Sequence, residues 1–102
     1  MTDKQLIKHA SEFRKGILGK KNSYMMCFAV CAPLVPYLYQ ADGIRSRLVE
    51  GSFGDCNHFW IELEDGRVLD PTADQFNGHC TTTFPLVYLG QPTEIHNERR
   101  EE

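Results

Sequence analysis

The sequence predicts an α+β domain, because two apolar-periodic stretches of helical length come first, short alternating stretches follow, and a tight-turn dipeptide, Asp65-Gly66, joins two of the latter. A length of 102 residues supports one core, so residues 1–102 read as a single domain in which N-terminal helices pack on a small antiparallel β-sheet. The hydrophobic fraction of 41% is enough to build that core, which separates the chain from disordered sequences.

In the first helix Leu6, Ile7, Ala10, Phe13, Ile17 and Leu18 recur at helical spacing, with Asp3 near the start and Gly19 past the end. Asn22 or Ser23 can cap a second helix that runs through Cys27 toward Gln40 and is almost wholly apolar, hence central. Pro33 and Pro36 each lack an N–H, so this helix either bends there or begins late. Gly43 is its expected exit.

Ile44 to Glu50 reads as a strand and residues 51–55 as a loop. From His58 to Leu63 the residues alternate, with His58, Trp60 and Glu62 on one face, and the chain returns through Arg67 to Asp70 before Pro71 re-aims it. A two-residue turn at Asp65-Gly66 pairs Ile61 with Asp70 and leaves His58 beyond direct register; one residue of slip, a bulge or a longer loop would close the gap. Residues 72–84 look irregular, Leu86 to Leu89 can add a strand, and 94–102 are expected to be a flexible tail. His9 and His96, in the surface helix and that tail, are assigned no role.

Charge and patterning exclude several functions. Eleven basic against fourteen acidic residues give a net charge of −3 with the basic residues dispersed, so no nucleic-acid partner is expected. No stretch reaches the length of a membrane-spanning helix and Met1 to Lys15 is amphipathic rather than signal-like, so a cytoplasmic protein without a membrane partner is expected. The spacing of Cys27, Cys31, Cys56 and Cys80 lacks the density of a disulfide scaffold, which points to free thiols. No cofactor or metal is expected.

A thiol becomes a good nucleophile at a helix N-terminus or beside an imidazolium, and Cys27 can have both. His58, at the start of a strand, can act as its acid/base, and Asp70, at the end of the returning strand, can orient His58. The Cys27 amide and the side chains of Asn22 or Gln75 are candidate donors to an oxyanion, and Trp60 is either core or a wall of the substrate cleft. Cys31 competes as nucleophile, because a helix that begins late moves the favourable N-terminus toward it. Asp74 and Gln75 also suit a short turn in which they bond only the backbone.

Helix-borne Cys27, then His58-Phe59-Trp60, then Asp70-Pro71-Thr72-Ala73-Asp74-Gln75-Phe76, together resemble the transglutaminase-like branch of the papain-like cysteine protease superfamily over about Asn22 to Gly90. The resemblance implies a papain-like core with Cys27 as nucleophile, His58 as acid/base and Asp70 as orienting carboxylate. It further implies peptidase, deamidase or transglutaminase-like chemistry on a peptide or protein substrate. Members often carry glycine two residues before the cysteine, where this chain has Met25.

Two other readings stay open. A catalytically silent module could keep the fold and use its cleft or sheet edge to hold a partner. A small zinc-binding domain would have to use Cys56, His58, His79 and Cys80, whose spacings do not match paired knuckles.

Overall fold

The computed structural model describes residues 2–21 and 25–98. Two helices pack on a four-stranded antiparallel sheet, the α+β arrangement expected from the sequence.

Helix α1 (Asp3–Leu18) begins in a capping box: Thr2 Oγ1 accepts from the Gln5 amide at 3.1 Å and Gln5 Oε1 accepts from the Thr2 amide at 2.9 Å. Helix α2 (Cys27–Asp42) starts at Cys27 itself, with Met26 as N-cap and no side-chain cap bond. Asn22 and Ser23, the expected caps, lie outside the described residues. Both prolines are accommodated inside α2 on its exposed side, where water can reach the carbonyls they leave unbonded, while Val30, Cys31, Leu34 and Leu38 face inward. Gly43, at φ 67°, ends α2 as expected and returns its N–H to Leu38 and Tyr39. His9 Nδ1 meets the buried Asp42 carboxylate at 2.9 Å and ties α1 to the end of α2.

The sheet runs β1 (Ser46–Phe53), β2 (Cys56–Leu63), β3 (Val68–Asp70) and β4 (Tyr88–Gly90), neighbours in that order. The first strand thus extends through much of the expected 51–55 loop, and Phe53 pairs with Cys56 across a two-residue turn whose Gly54 has φ 60°.

The second turn decides the site. Leu63 N donates to Arg67 O at 2.9 Å and Gly66 has φ 87°, so the loop is Glu64–Gly66, one residue longer than the expected Asp65-Gly66 turn. The register becomes Ile61 with Leu69 and Glu62 with Val68. Because side chains alternate, that single residue moves Asp70 from the face of Ile61 to the face of His58 and Trp60.

One face of the sheet carries Ile61, Leu63 and Leu69 against Leu6, Ala10, Cys31, Leu34 and Leu38 of the helices. The other face holds Val49, Trp60 and Val68. A C-terminal strap covers that face: Gly51 bridges Glu98, Ser52 N donates to Asn97 O at 3.1 Å, and Ile95 is fully buried. Residues 94–98 are therefore packed rather than a loose tail, because Ile95 supplies an apolar anchor to Ala73, Phe76 and Phe84.

Gly51 lies where the strap crosses β1. A Cβ there would overlap Asn97 O and the Trp60 ring, so Gly51→Ala is expected to destabilise the fold by about 3 kcal/mol or more, the upper range for overpacking. Urea unfolding followed by circular dichroism measures it, and a change below about 1 kcal/mol would mean that the strap yields easily.

Candidate active site

Three elements converge at one end of the sheet. The start of β2 supplies His58, the end of β3 supplies Asp70, and the first residue of α2 supplies Cys27. His58 and Asp70 are fully buried and Cys27 nearly so.

Asp70 accepts three hydrogen bonds. His58 Nε2 reaches Oδ2 at 2.6 Å, His96 Nε2 reaches the same oxygen at 2.8 Å, and the Thr72 amide donates to Oδ1 at 3.0 Å. Tautomers follow from the partners. The Thr93 amide donates to His96 Nδ1 at 3.0 Å, so the His96 ring carries its proton on Nε2 and donates to Asp70. An ionised Asp70 can only accept, so His58 also donates from Nε2. His58 Nδ1, buried and without a hydrogen-bond partner otherwise, is left for Cys27.

The electrostatics agree with this pairing. Burial opposes the charged form of Cys27, but bonds from His58 and from the Phe59 and Phe28 amides, with the imidazolium charge, outweigh it and bring the thiol below its ordinary range. Burial likewise opposes the charged His58, yet the bonds to Asp70 and Cys27 raise its pKa to about 9. Asp70, despite complete burial, is held below the usual carboxylate range by bonds from His58 and His96. All three shifts run toward the charged forms: a thiol more acidic and an imidazole more basic than usual, beside a carboxyl more acidic than usual.

Cys31 has the opposite environment. Burial, then the charges of Asp70 and Cys27, push its thiol well up, and its Sγ donates to Phe59 O at 3.6 Å. It remains a thiol, so geometry separates it from Cys27. All four cysteines are unbridged.

Cys27 opens on a cleft of about 430 Å³. Its walls are two edge-to-face pairs, Phe28 with Phe59 at 5.0 Å and Phe53 with Phe76 at 5.6 Å between ring centres. Among the described residues, no Lys, Arg, Asp or Glu lines it.

Gln75 lies in the short 3₁₀ turn Ala73–Phe76 and lines the same cleft, with Oε1 accepting from the Met25 amide at 3.2 Å and Nε2 buried without a partner. Its neighbour Asp74 anchors the turn to α1, where Arg14 grips the Asp74 carboxylate at 2.7 and 3.1 Å and also donates to Pro71 O and Leu86 O. Asn22, the other oxyanion candidate, lies outside the described residues.

Trp60 is not at the cleft. It is 3% exposed and packs on Val49 and Val68, with His58 and His96 at 5.5 and 5.1 Å between ring centres. Among the described residues, the possible metal-ligating group of three is His58, Asp70 and His96, not the cysteine and histidine set from 56 to 80. Its two Nε2 atoms already carry the protons donated to Asp70, an arrangement suited to hydrogen bonding rather than to a cation.

Sequence reasoning missed His96. The available signal was Ile95, a lone apolar residue in a polar stretch, next to a Thr93-x-x-His96 spacing that lets the Thr93 backbone orient the ring. Met25 is the one non-glycine residue with positive φ among the described residues, at 60°, a conformation in which glycine would be unstrained. No helix among the described residues is long and apolar enough to cross a membrane. No family model, curated protein or solved structure matches the chain.

Proposed function

We propose that this chain is a cysteine-dependent hydrolytic or acyl-transfer enzyme of the transglutaminase-like, papain-like plan, with Cys27, His58 and Asp70 as its triad. The observation that carries the proposal is the buried pair at the helix mouth: Asp70 Oδ2 bonded to His58 Nε2, with His58 Nδ1 left unbonded beside a Cys27 thiol whose pKa His58 helps to lower. The left-handed Met25 adds support, since it stands where members of that superfamily often have glycine. Four unbridged thiols suit a reducing compartment such as the cytoplasm.

The Cys27 thiolate attacks the substrate carbonyl carbon and the π pair moves to oxygen. The Cys27 amide, among the unpaired N–H groups of the α2 terminus, and Gln75 Nε2 are the donors available to that oxyanion. On collapse the leaving group departs with the proton from His58 Nδ1, and an acyl-thioester remains. Neutral His58 then takes a proton from water or an amine as this nucleophile adds to the acyl carbon. The thiolate is expelled and the ion pair returns.

A cleft walled by aromatic rings, with no Lys, Arg, Asp or Glu among its described lining residues, favours an apolar acyl group in the substrate, whether an apolar side chain of a peptide or protein or a simple acyl chain. Thioesters of one small thiol test both points. Thiol release well beyond one equivalent is expected, lost in Cys27→Ala, with kcat/KM rising at least about tenfold from acetyl to hexanoyl or phenylacetyl. Undiminished release in Cys27→Ala would remove the proposed enzyme and leave a binding module as the better reading.

A further inference from the structure

His96 shares Asp70 with the proposed triad, reaching the same carboxylate oxygen as His58, yet it lies on a strap the triad does not otherwise use. Its ring is fully enclosed at the side chain and is fixed at both nitrogens, by the Thr93 amide at Nδ1 and by Asp70 at Nε2. Around it stand Trp60, Phe84 and Tyr88, the last stacked at 5.8 Å and 17°. A ring needed only for packing has no requirement for either nitrogen, and a phenylalanine would satisfy the same cage.

We propose that His96 is a positioning residue for the triad: as a neutral Nε2–H donor clamped by Thr93, it holds Asp70 ionised and aimed so that His58 presents Nδ1 to Cys27. The inference rests on the triad reading above. Asp70 Oδ2 would otherwise have His58 as its sole imidazole donor, and the carboxylate could rotate about its Thr72 bond. Two N–H donors on one oxygen and one on the other fix both its plane and its charge.

The ionisable groups facing this cluster are His58 from β2, His96 from the strap and Cys31 from α2 around Asp70, with Cys27 against His58 and Tyr88 stacked on His96. Cys31 remains a neutral thiol through the neutral range. The acid side of Cys27 reactivity therefore reports how well Asp70 sustains the His58 imidazolium. Loss of one donor makes Asp70 easier to protonate, so that support fails at a higher pH.

Two variants separate hydrogen bonding from packing because they are expected to act in opposite order. His96→Phe keeps the aromatic contacts and loses the donor; His96→Gln keeps an N–H donor and loses the ring. The measurement is the rate of Cys27 alkylation by iodoacetamide against pH, located by peptide mass spectrometry. The acid limb is expected to move up by about one pH unit in His96→Phe and to stay near the parent's position in His96→Gln. Unmoved limbs in both variants, or a shift in His96→Gln as large as in His96→Phe, would overturn the proposal.

Nitrogen-15 NMR of the unaltered protein needs no variant to fold. It is expected to show the His96 proton on Nε2, with Nδ1 an acceptor, as its two hydrogen bonds require. A ring that carries its proton on Nδ1 would overturn the inference while leaving Cys27 reactivity, and hence the triad reading, intact. A parent protein whose Cys27 reacts no faster than Cys56 would instead remove the triad reading, and His96's role with it.

Discussion

At pH 6, iodoacetamide is expected to alkylate Cys27 at least about tenfold faster than Cys56, although Cys56 is exposed and Cys27 is nearly buried. Only the thiolate reacts, and each unit by which a thiol's pKa lies above the solution pH costs about tenfold in its thiolate fraction. Cys27 is brought below the ordinary thiol range by His58 and two amides, against the opposing effect of burial. Its alkylation should hence persist further toward acid pH than an ordinary thiol's.

Turnover has a second limb. His58 protonates the leaving group, and the pKa of about 9 set chiefly by Asp70 and Cys27 against burial means that this proton is lost on the alkaline side. Hydrolysis should then fall above about pH 9 while alkylation does not, because the thiolate persists after His58 loses its charge. The two limbs belong to the coupled pair rather than to either residue alone. Labelling rates of Cys27 and Cys56 that run parallel from pH 5 to 8 would refute the ion pair, whatever the activity.

Much of this site was legible in the sequence, for identifiable reasons. Cys27 before a long apolar run, His58 opening an aromatic strand and Asp70 before Pro71 are each positioned by local patterns that survive folding. The missing information was the length of one loop. Asp65-Gly66 signals a turn but not whether Glu64 joins it, and Asp65 Oδ1 accepting from the Arg67 amide at 3.0 Å stabilises the longer form. That choice controls the face on which Asp70 lies, a consequence wholly out of proportion to a one-residue difference.

His96 was illegible for another reason. Apart from Ile95 its neighbours in sequence are polar, and only the fold reveals that Gly51 lets the strap cross β1 closely enough to deliver it. Trp60 is the reverse case: an aromatic next to a catalytic candidate suggests a cleft wall, but strand alternation sends it under the strap with Val49 and Val68. Local pattern thus found the residues with chemistry, and long-range packing decided which of them meet.

Asp70→Asn is expected to have the largest effect on stability. The carboxylate accepts from His58, His96 and Thr72, whereas an amide offers one acceptor oxygen and turns an N–H₂ group toward at least one of those donors. Removing one partner of a fully buried charge pair costs about 3–5 kcal/mol, a large part of the stability of a domain of this size. The pH dependence carries the signature. Asp70 has a folded pKa below its unfolded value of 3.8, so its contribution is present above that value and is lost as pH falls through the lower one. His58 has a folded pKa raised from 6.5 to about 9, so its contribution is fully present below 6.5 and is lost as pH rises toward 9. Cys27 works in the opposite sense: its folded pKa lies below the unfolded 9.0, so the proton it releases on folding offsets the one His58 gains. The slope is therefore read without the thiol: Cys27→Ala should lose stability as pH rises from about 6.5, and Cys27→Ala/Asp70→Asn, in which His58 has no carboxylate to charge against, should lack most of that slope. Urea unfolding at a series of pH values measures both quantities. A Cys27→Ala curve flat above pH 6.5, or a double-variant curve parallel to it, would show that the His58–Asp70 bond carries no net charge coupling, and Cys27 would then have no imidazolium to hold its thiolate.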